Sequence, residues 1–277
     1  MSDVEFSTGA RGTDNITRSA LGMIDAHCHL EQKETFFSRE QLISDCKAAG
    51  MVALVTVCAR PQDLQLTLDI AERHKRFVSA TAGIHPLEAS VSTEKEIDAY
   101  IEQIKGHRSE LKAIGEVGID DVLVKDSVKK QRSRDVFIQF IGLANELGLP
   151  ISIHCREAYP ETMKRLSDYG AKRVVFHYFN QPELVGDIAD QGWCLSLPVT
   201  LAFSDKRLSK IIKETDDHAA DIMVETDSPI ELGGGKRITP LDVRLLVDAI
   251  AKEKEEDAAS ISAETARTTS EFFSLQL

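Results

Sequence analysis

Five of the chain's eight histidines fall at the ends of short apolar runs, at positions 27, 29, 85, 154 and 177. Imidazole is the commonest metal ligand and the side chain that titrates closest to neutral pH. His27 and His29 flank Cys28. Residues two apart on a strand project to the same face, about 6.6 Å apart along the chain, near enough for both rings to tilt onto one ion. Cys28 then points into packing, and Asp25 is expected to steady a ligand from behind. His154-Cys155-Arg156 repeats the spacing with a guanidinium as its second member. One such side chain suits a metal and the other grips an anionic oxygen through two N–H groups. His177 ends the run Val174-Val175-Phe176.

Two carboxylates occupy comparable places. Glu116 stands between Gly115 and Gly118 at the end of an apolar run. A buried carboxylate is costly there without partners, and the glycines permit close backbone approach. Asp227 shares a face with Glu225, just before Ser228-Pro229. Each residue also has a bland use: a packed histidine, an exposed strand-end glutamate, an aspartate capping a turn. Taken together, His27, His29, Glu116, His154, His177 and Asp227 offer four imidazoles and two carboxylates. That set can hold two adjacent divalent ions and keep positions open for water and substrate.

Bringing these residues together requires that the runs carrying them converge. Strands are predicted at 23–27, 51–58, 76–84, 112–117, 150–154, 173–177, 192–197 and 221–226. Helical patterns lie between most of them, at 61–74, 92–104, 128–147, 159–169, 181–191, 204–215 and 240–254, and a last one at about 262–273. Proline at 61 suits a first helical turn, Ser92 and Thr93 suit an N-cap, and Gly50 and Gly148 suit helix ends. Eight strands alternating with helices imply a parallel sheet, and eight is the number that closes a (β/α)8 TIM-type barrel, here as a single domain. The rival is an open doubly wound sheet. Neither of its usual phosphate cradles, GxGxxG after the first strand or a P-loop, is present. In a barrel the C-terminal strand ends share one face, which is where these chemical residues lie.

Composition agrees with this and excludes other classes. The 277 residues are 42% hydrophobic and 28% charged, and the formal net charge is −12. That balance argues against a broad basic nucleic-acid surface, though bound cations can reverse the sign of a pocket. Lys172, Arg173, Lys206 and Arg207 are read as solvated charges. Five cysteines without a CxxC fit a reducing cytoplasm better than a disulfide framework. No run is long and apolar enough for a membrane span. Residues 1–22 are polar and read as a flexible N-terminal tail, with the hydrolase barrel at 23–277.

The ordered motifs resemble the TatD family of metal-dependent deoxyribonucleases, within the amidohydrolase-like barrel group. The resemblance runs from Met23 to about Phe273. It rests on Met23-Ile24-Asp25-Ala26-His27-Cys28-His29-Leu30, Gly83-Ile84-His85-Pro86, Ile114 to Asp120, Ile153-His154-Cys155-Arg156 and Glu225-Thr226-Asp227-Ser228-Pro229. It implies that His27, His29 and Asp227 hold one ion, that His154 and His177 hold the other, and that Glu116 bridges them. His85 and Arg156 would face substrate, with Asp227 and Glu116 catalytic. Mg²⁺ or Mn²⁺ is the family's usual metal, whereas the nitrogen-rich ligand set suits Zn²⁺, among others, better than Mg²⁺. Two departures touch the pocket wall: Asp121 stands where an aromatic residue is common, and Tyr178-Phe179-Asn180-Gln181 replaces a loop of small residues.

The expected function is a divalent-metal-dependent hydrolase acting on ester bonds. It is a phosphodiesterase with 3′-to-5′ exonuclease activity on DNA ends, single-stranded in particular. The alternative is an amidohydrolase-type enzyme for a small anionic phosphoester, a lactone or an amide, because this architecture hosts many reactions.

Overall fold

The computed structural model describes residues 22–35, 37–232 and 235–277. The expected tail falls outside these residues except for Gly22. An eight-stranded parallel sheet has the order β1 (Ile24–Cys28), β2 (Ala53–Cys58), β3 (Val78–Ala82), β4 (Leu111–Asp120), β5 (Ile151–Arg156), β6 (Val174–Phe176), β7 (Cys194–Pro198) and β8 (Ile222–Glu225). Each strand pairs with the next. The ring closes where Cys28 bridges Ser228, with His29 N–H donating to Ser228 O at 2.7 Å and Asp227 N–H to His27 O at 2.9 Å. All eight expected strands are present, shifted at their ends by a few residues.

The strands read as continuous apolar runs because helices cover the outside of the ring and side chains fill the inside. The helices are α1 (Arg39–Ala48), α2 (Leu64–Arg73), α3 (Pro86–Ala89), α4 (Glu94–Gly106), α5 (Ser127–Leu147), α6 (Tyr159–Asp168), α7 (Val185–Ala189), α8 (Asp205–Asp217), α9 (Val243–Lys254) and α10 (Ala258–Phe273). Their ends follow local chemistry. Thr93 and Glu96 form a reciprocal capping box at α4, Asp126 caps α5, and Gly148 ends α5 in the left-handed region. Helix α1 and the single-turn α3 have no counterpart among the expected helices; α1 is weakly amphipathic, and α3 is too short to show a period.

A separate apolar cluster of Ala26, Val55, Val57, Ala113, Val175 and Met223 lies inside the ring and closes on Phe272 and Phe273 of α10. It forms a dry floor beneath the strand ends that carry the chemical residues. Among the described residues, no helix is long and apolar enough to cross a membrane.

Strand β4 approaches β5 too closely for a side chain at two points. A Cβ on Gly118 would lie 1.8 Å from His154 O, and one on Gly115 2.7 Å from Ser152 Cβ. The φ angles are +156° and +149°, which L side chains rarely adopt. Gly118→Ala is therefore expected to destabilise the fold by more than about 4 kcal/mol or to prevent soluble expression. Gly142→Ala, inside α5 with nothing within 4 Å, is expected to stabilise by about 0.5–1 kcal/mol. Urea denaturation of both variants checks the contrast.

Candidate metal centre

All six expected ligands meet at the C-terminal end of the ring. His27 sits near the end of β1 and His29 just beyond it, and their Nε2 atoms are 3.3 Å apart. Asp227 Oδ1 lies 3.2 Å from His29 Nε2 and 3.7 Å from His27 Nε2. Across the ring, His154 Nδ1 and His177 Nε2 are 3.3 Å apart. Glu116 lies between the two sets. Its Oε2 is 2.9 Å from His177 Nε2, 3.5 Å from His154 Nδ1 and 4.0 Å from His27 Nε2, while Oε1 is 3.9 Å from His29 Nε2. The histidine rings of β1 and β6 stack, with centroids of His27 and His177 4.0 Å apart.

The outward nitrogens of three rings are held, which fixes the inward ones. His29 Nδ1 donates to Val57 O at 2.9 Å and stands 3.2 Å from Glu31 Oε1. His154 Nε2 bonds Asp120 Oδ2 at 3.0 Å. His177 Nδ1 bonds Glu225 Oε1 at 3.3 Å, and that oxygen also accepts the Tyr178 N–H at 2.7 Å. Ser196 Oγ donates to the other Glu225 oxygen. With each ring's second nitrogen committed to an acceptor, the lone pairs of His29, His154 and His177 face the centre. Converging nitrogen lone pairs and a bridging carboxylate are a donor set that divalent cations satisfy. Two of the ligand groupings, His27–His29–Glu116 and Glu116–His154–His177, share Glu116, so the residues fit a pair of ions.

Electrostatics follow from burial and pairing. Burial alone would depress His177, but Glu116 and Glu225 outweigh it and carry its pKa up to about 10. Burial likewise opposes charge on His29 and His154, and Glu31 and Asp227 on one side and Asp120 and Glu116 on the other push both pKa values up. Burial disfavours ionised Glu116, yet its bonds to His154 and His177 bring it well below the carboxylate range. His27 is driven down, first by burial and then by the charge of His177.

Asp25 departs from expectation. The register of β1 against β2 shifts between Asp25 and Cys28. The Asp25 carboxylate accepts from the backbone of His27 and from the Thr226 N–H and hydroxyl, and steadies no imidazole ring. Burial raises its pKa to about 8. It joins β1 to β8 next to two ligands, and so acts on them through the backbone.

The centre opens into a cleft of about 810 Å³. His85 and Arg156, expected to face substrate, both line it. His85 packs its ring edge-on to His154, and its Nδ1 accepts the Leu87 N–H at 3.1 Å, so Nε2 carries the ring proton. Burial, first, holds its pKa down to about 4. Arg156 is exposed, and no ion pair engages it among the described residues. Glu31, Asp120 and Glu225 were not among the expected site residues. Each is a buried carboxylate behind a histidine. Glu225 was marked only by sharing a face with Asp227, and nothing in the spacing pairs Asp120 with His154, 34 residues on. Asp121, at the variant position, is held by Lys130 and Arg134, and Arg134 continues to Glu161. Lys172 and Arg173 precede β6 at the opposite end of the ring, where Arg173 donates to Phe272 O.

The family described as TatD related DNase matches residues 24–274. A human protein named deoxyribonuclease TATDN3 is 30% identical over 248 residues, covering 85% of this chain and 89% of its own. A protein of Erwinia tasmaniensis named 3′-5′ ssDNA/RNA exonuclease TatD is 26% identical over 266 residues, covering 91% and 100%. The solved structure of the TatD homologue YJJV from Escherichia coli superposes with a TM-score of 0.79 at 19% identity, covering 92% of this chain and 98% of that one, and supports the fold alone.

Asp120→Asn and Glu225→Gln replace the charged acceptors behind His154 and His177 with neutral amides. Each is expected to weaken divalent-ion binding by about 10–100-fold while the melting temperature in chelator stays near that of the unchanged protein. Competition titration against a chelator reads the first effect and calorimetry the second. Protons and ions compete for the same nitrogens, and His177 holds its proton up to about pH 10. Ion binding should release protons at neutral pH and strengthen as pH rises. Titration calorimetry in two buffers of different ionisation enthalpy measures that release.

Proposed function

Because the chain belongs to the TatD-related DNase family of metal-dependent hydrolases, we propose that it hydrolyses phosphodiester bonds at DNA ends, removing nucleotides from the 3′ end of single strands. The observation that carries this reading is the buried Glu116 between two sets of nitrogen donors, at the base of a cleft whose rim carries Arg156, which makes no ion pair among the described residues. In this reading His27, His29 and Asp227 would hold one ion and His154 and His177 the other, with Glu116 available to both. Four imidazoles favour Zn²⁺ or Mn²⁺ over Mg²⁺, which prefers oxygen ligands. The ions supply Lewis acidity, which activates water and neutralises charge on a phosphate.

The chain's own groups supply the rest. Asp227, whose side chain is 20% exposed against 6% for Glu116, is the ligand carboxylate open to the cleft, and it accepts the proton of the attacking water. Arg156 pairs with the non-bridging phosphate oxygens as their charge grows. His85, neutral and protonated on Nε2, donates to the phosphate or the departing oxygen. The apolar cluster that ends on Phe272 and Phe273 offers water no polar partner beneath the centre. In this reading residues 23–277 form the hydrolase unit, and five free cysteines, three of them buried, support a reducing compartment such as the cytoplasm.

A second reading, hydrolysis of a small anionic phosphoester, draws support from Glu34, Glu88 and Glu157, which line the same cleft and oppose a long polyanion.

Metal-loaded protein should shorten 5′-labelled single-stranded DNA from its 3′ end, and the Glu116→Ala, Asp227→Asn double variant and chelator should each abolish the ladder. Asp227→Asn alone should lose turnover by more than about 100-fold and still bind at least one ion. Turnover near the unchanged level would remove Asp227 as the base. Cleavage of bis-p-nitrophenyl phosphate without any DNA ladder would favour the small-substrate reading.

A further inference from the structure

Four of the eight large apolar side chains left exposed among the described residues lie on the segments that follow β3 and β4. Leu87 is 44% exposed and lines the cleft rim. Val91, one helical turn further along, is 59% exposed, and the Ser90 and Ser92 amides continue that turn onto Pro86 O and Glu88 O. On the next loop Leu123 is 47% exposed, and Val128 in the first turn of α5 is 75% exposed. Arg132, four residues after Val128 and so on the same helix face, donates from Nε to Ser92 O at 3.1 Å. That bond brings the Val128 face of α5 beside Val91. Leu87, Val91, Leu123 and Val128 thus make an apolar ledge running outward from the cleft.

The ledge is anchored at the centre itself. The Leu87 amide bonds His85 Nδ1, and the Leu123 and Val122 amides bond Asp120 Oδ1 at 2.7 and 2.9 Å. Its placement is therefore tied to the groups that face substrate and orient His154. Lys125 and Lys129 flank Leu123 and Val128, four residues apart on either side of the N-cap of α5. Both are exposed, and among the described residues neither ammonium has an ion pair or hydrogen bond. The neighbouring cations behave otherwise: Lys130, Arg132 and Arg134 are all paired with carboxylates. In a chain of net charge −12, two uncommitted cations beside an apolar strip select a ligand that is both anionic and apolar.

We propose that this ledge binds the body of a single-stranded nucleic acid whose end occupies the cleft. Bases lie on Leu123 and Val128, and Lys125 and Lys129 meet successive phosphates. Apolar contact with the base faces tolerates any sequence, and the two cations set the strand's direction away from the cleft. The assignment rests on the nuclease reading of the cleft for its occupant, and it adds a surface which a small phosphoester would not use.

The test uses the full chain, with Lys125→Gln/Lys129→Gln and Leu123→Ser/Val128→Ser as two double variants. Binding of a fluorescein-labelled oligothymidylate of about twelve nucleotides is followed by anisotropy in chelator, from about 0.1 to 1 M salt. Hydrolysis of that strand and of a thymidine dinucleotide is followed with metal. Loss of two phosphate contacts at about 0.7 per phosphate should lower the slope of log affinity against log salt by about 1.4. Binding at 0.1 M relative to 1 M then falls about 25-fold. The apolar variant should weaken binding at every salt concentration. The Lys125→Gln/Lys129→Gln variant should leave dinucleotide hydrolysis unchanged. Long-strand binding unaltered in both variants overturns the proposal, as does an equal loss on strand and dinucleotide. Concentration-dependent self-association abolished by Leu123→Ser/Val128→Ser, with DNA binding intact, assigns the face to a second copy and also overturns it. If the unchanged protein cleaves no oligonucleotide, the nuclease reading fails by itself, while the anisotropy arm still decides the ledge.

Discussion

A carboxylate buried among imidazoles is the constraint on which the rest of this structure depends. Glu116 reaches rings from β1, β5 and β6, so its position ties opposite sides of the barrel together. An uncompensated charge at that depth costs several kcal/mol, and the cost falls only if every partner is in place. The ring must close for β1 to face β6. Strand β4 must also lie close against β5, which Gly115 and Gly118 permit and a larger residue would forbid.

The same constraint explains the layer of acids behind the histidines. Asp120, Glu225 and Glu31 are buried, and each holds the outer nitrogen of a ring or lies against it. Without them the rings are free to rotate or to take the other tautomer, and the inner nitrogens lose their common aim. Glu225 is in turn held by Ser196 and the Tyr178 amide, and Asp120 by the amides of Val122 and Leu123. Preorganisation is thus passed outward through hydrogen bonds until it reaches ordinary barrel backbone. Three non-glycine residues at these strand ends, Glu157, Tyr178 and Asp227, take left-handed backbone angles of 55°, 52° and 54°. Turning the chain sharply after β5, β6 and β8 is what lets side chains from short strands crowd one small volume.

Function then divides between two regions with different electrostatic character. The centre concentrates donors for cations, and once cations occupy it the sign of the cleft floor reverses. The rim is mixed. Arg134 is spent on Asp121 and Glu161, whereas Arg156 near the centre and Lys125 and Lys129 beside an apolar strip make no ion pair among the described residues. An acidic protein can handle a polyanion this way, gripping one phosphate at the centre and a short stretch of strand beside it without any basic surface band.

Much of this was legible in residue order. Eight apolar runs alternating with helical patterns determined the barrel, because strands covered on both faces must be apolar throughout and helices must cross over between parallel neighbours. The same order made the six candidate ligands legible, because barrel strands deliver their C-terminal ends to one face whatever their separation in sequence. Local rules failed where the determinant was another strand. The role of Asp25 depends on Thr226, 201 residues away. The partnership of Asp120 with His154 depends on β4 lying beside β5, and the ledge of Leu87, Val91, Leu123 and Val128 on α5 docking near the turn after α3. Periodicity reports which face of an element is buried. Only tertiary packing decides which residue stands behind a ligand and which apolar side chains are left uncovered, since those depend on distances between segments that share no local pattern.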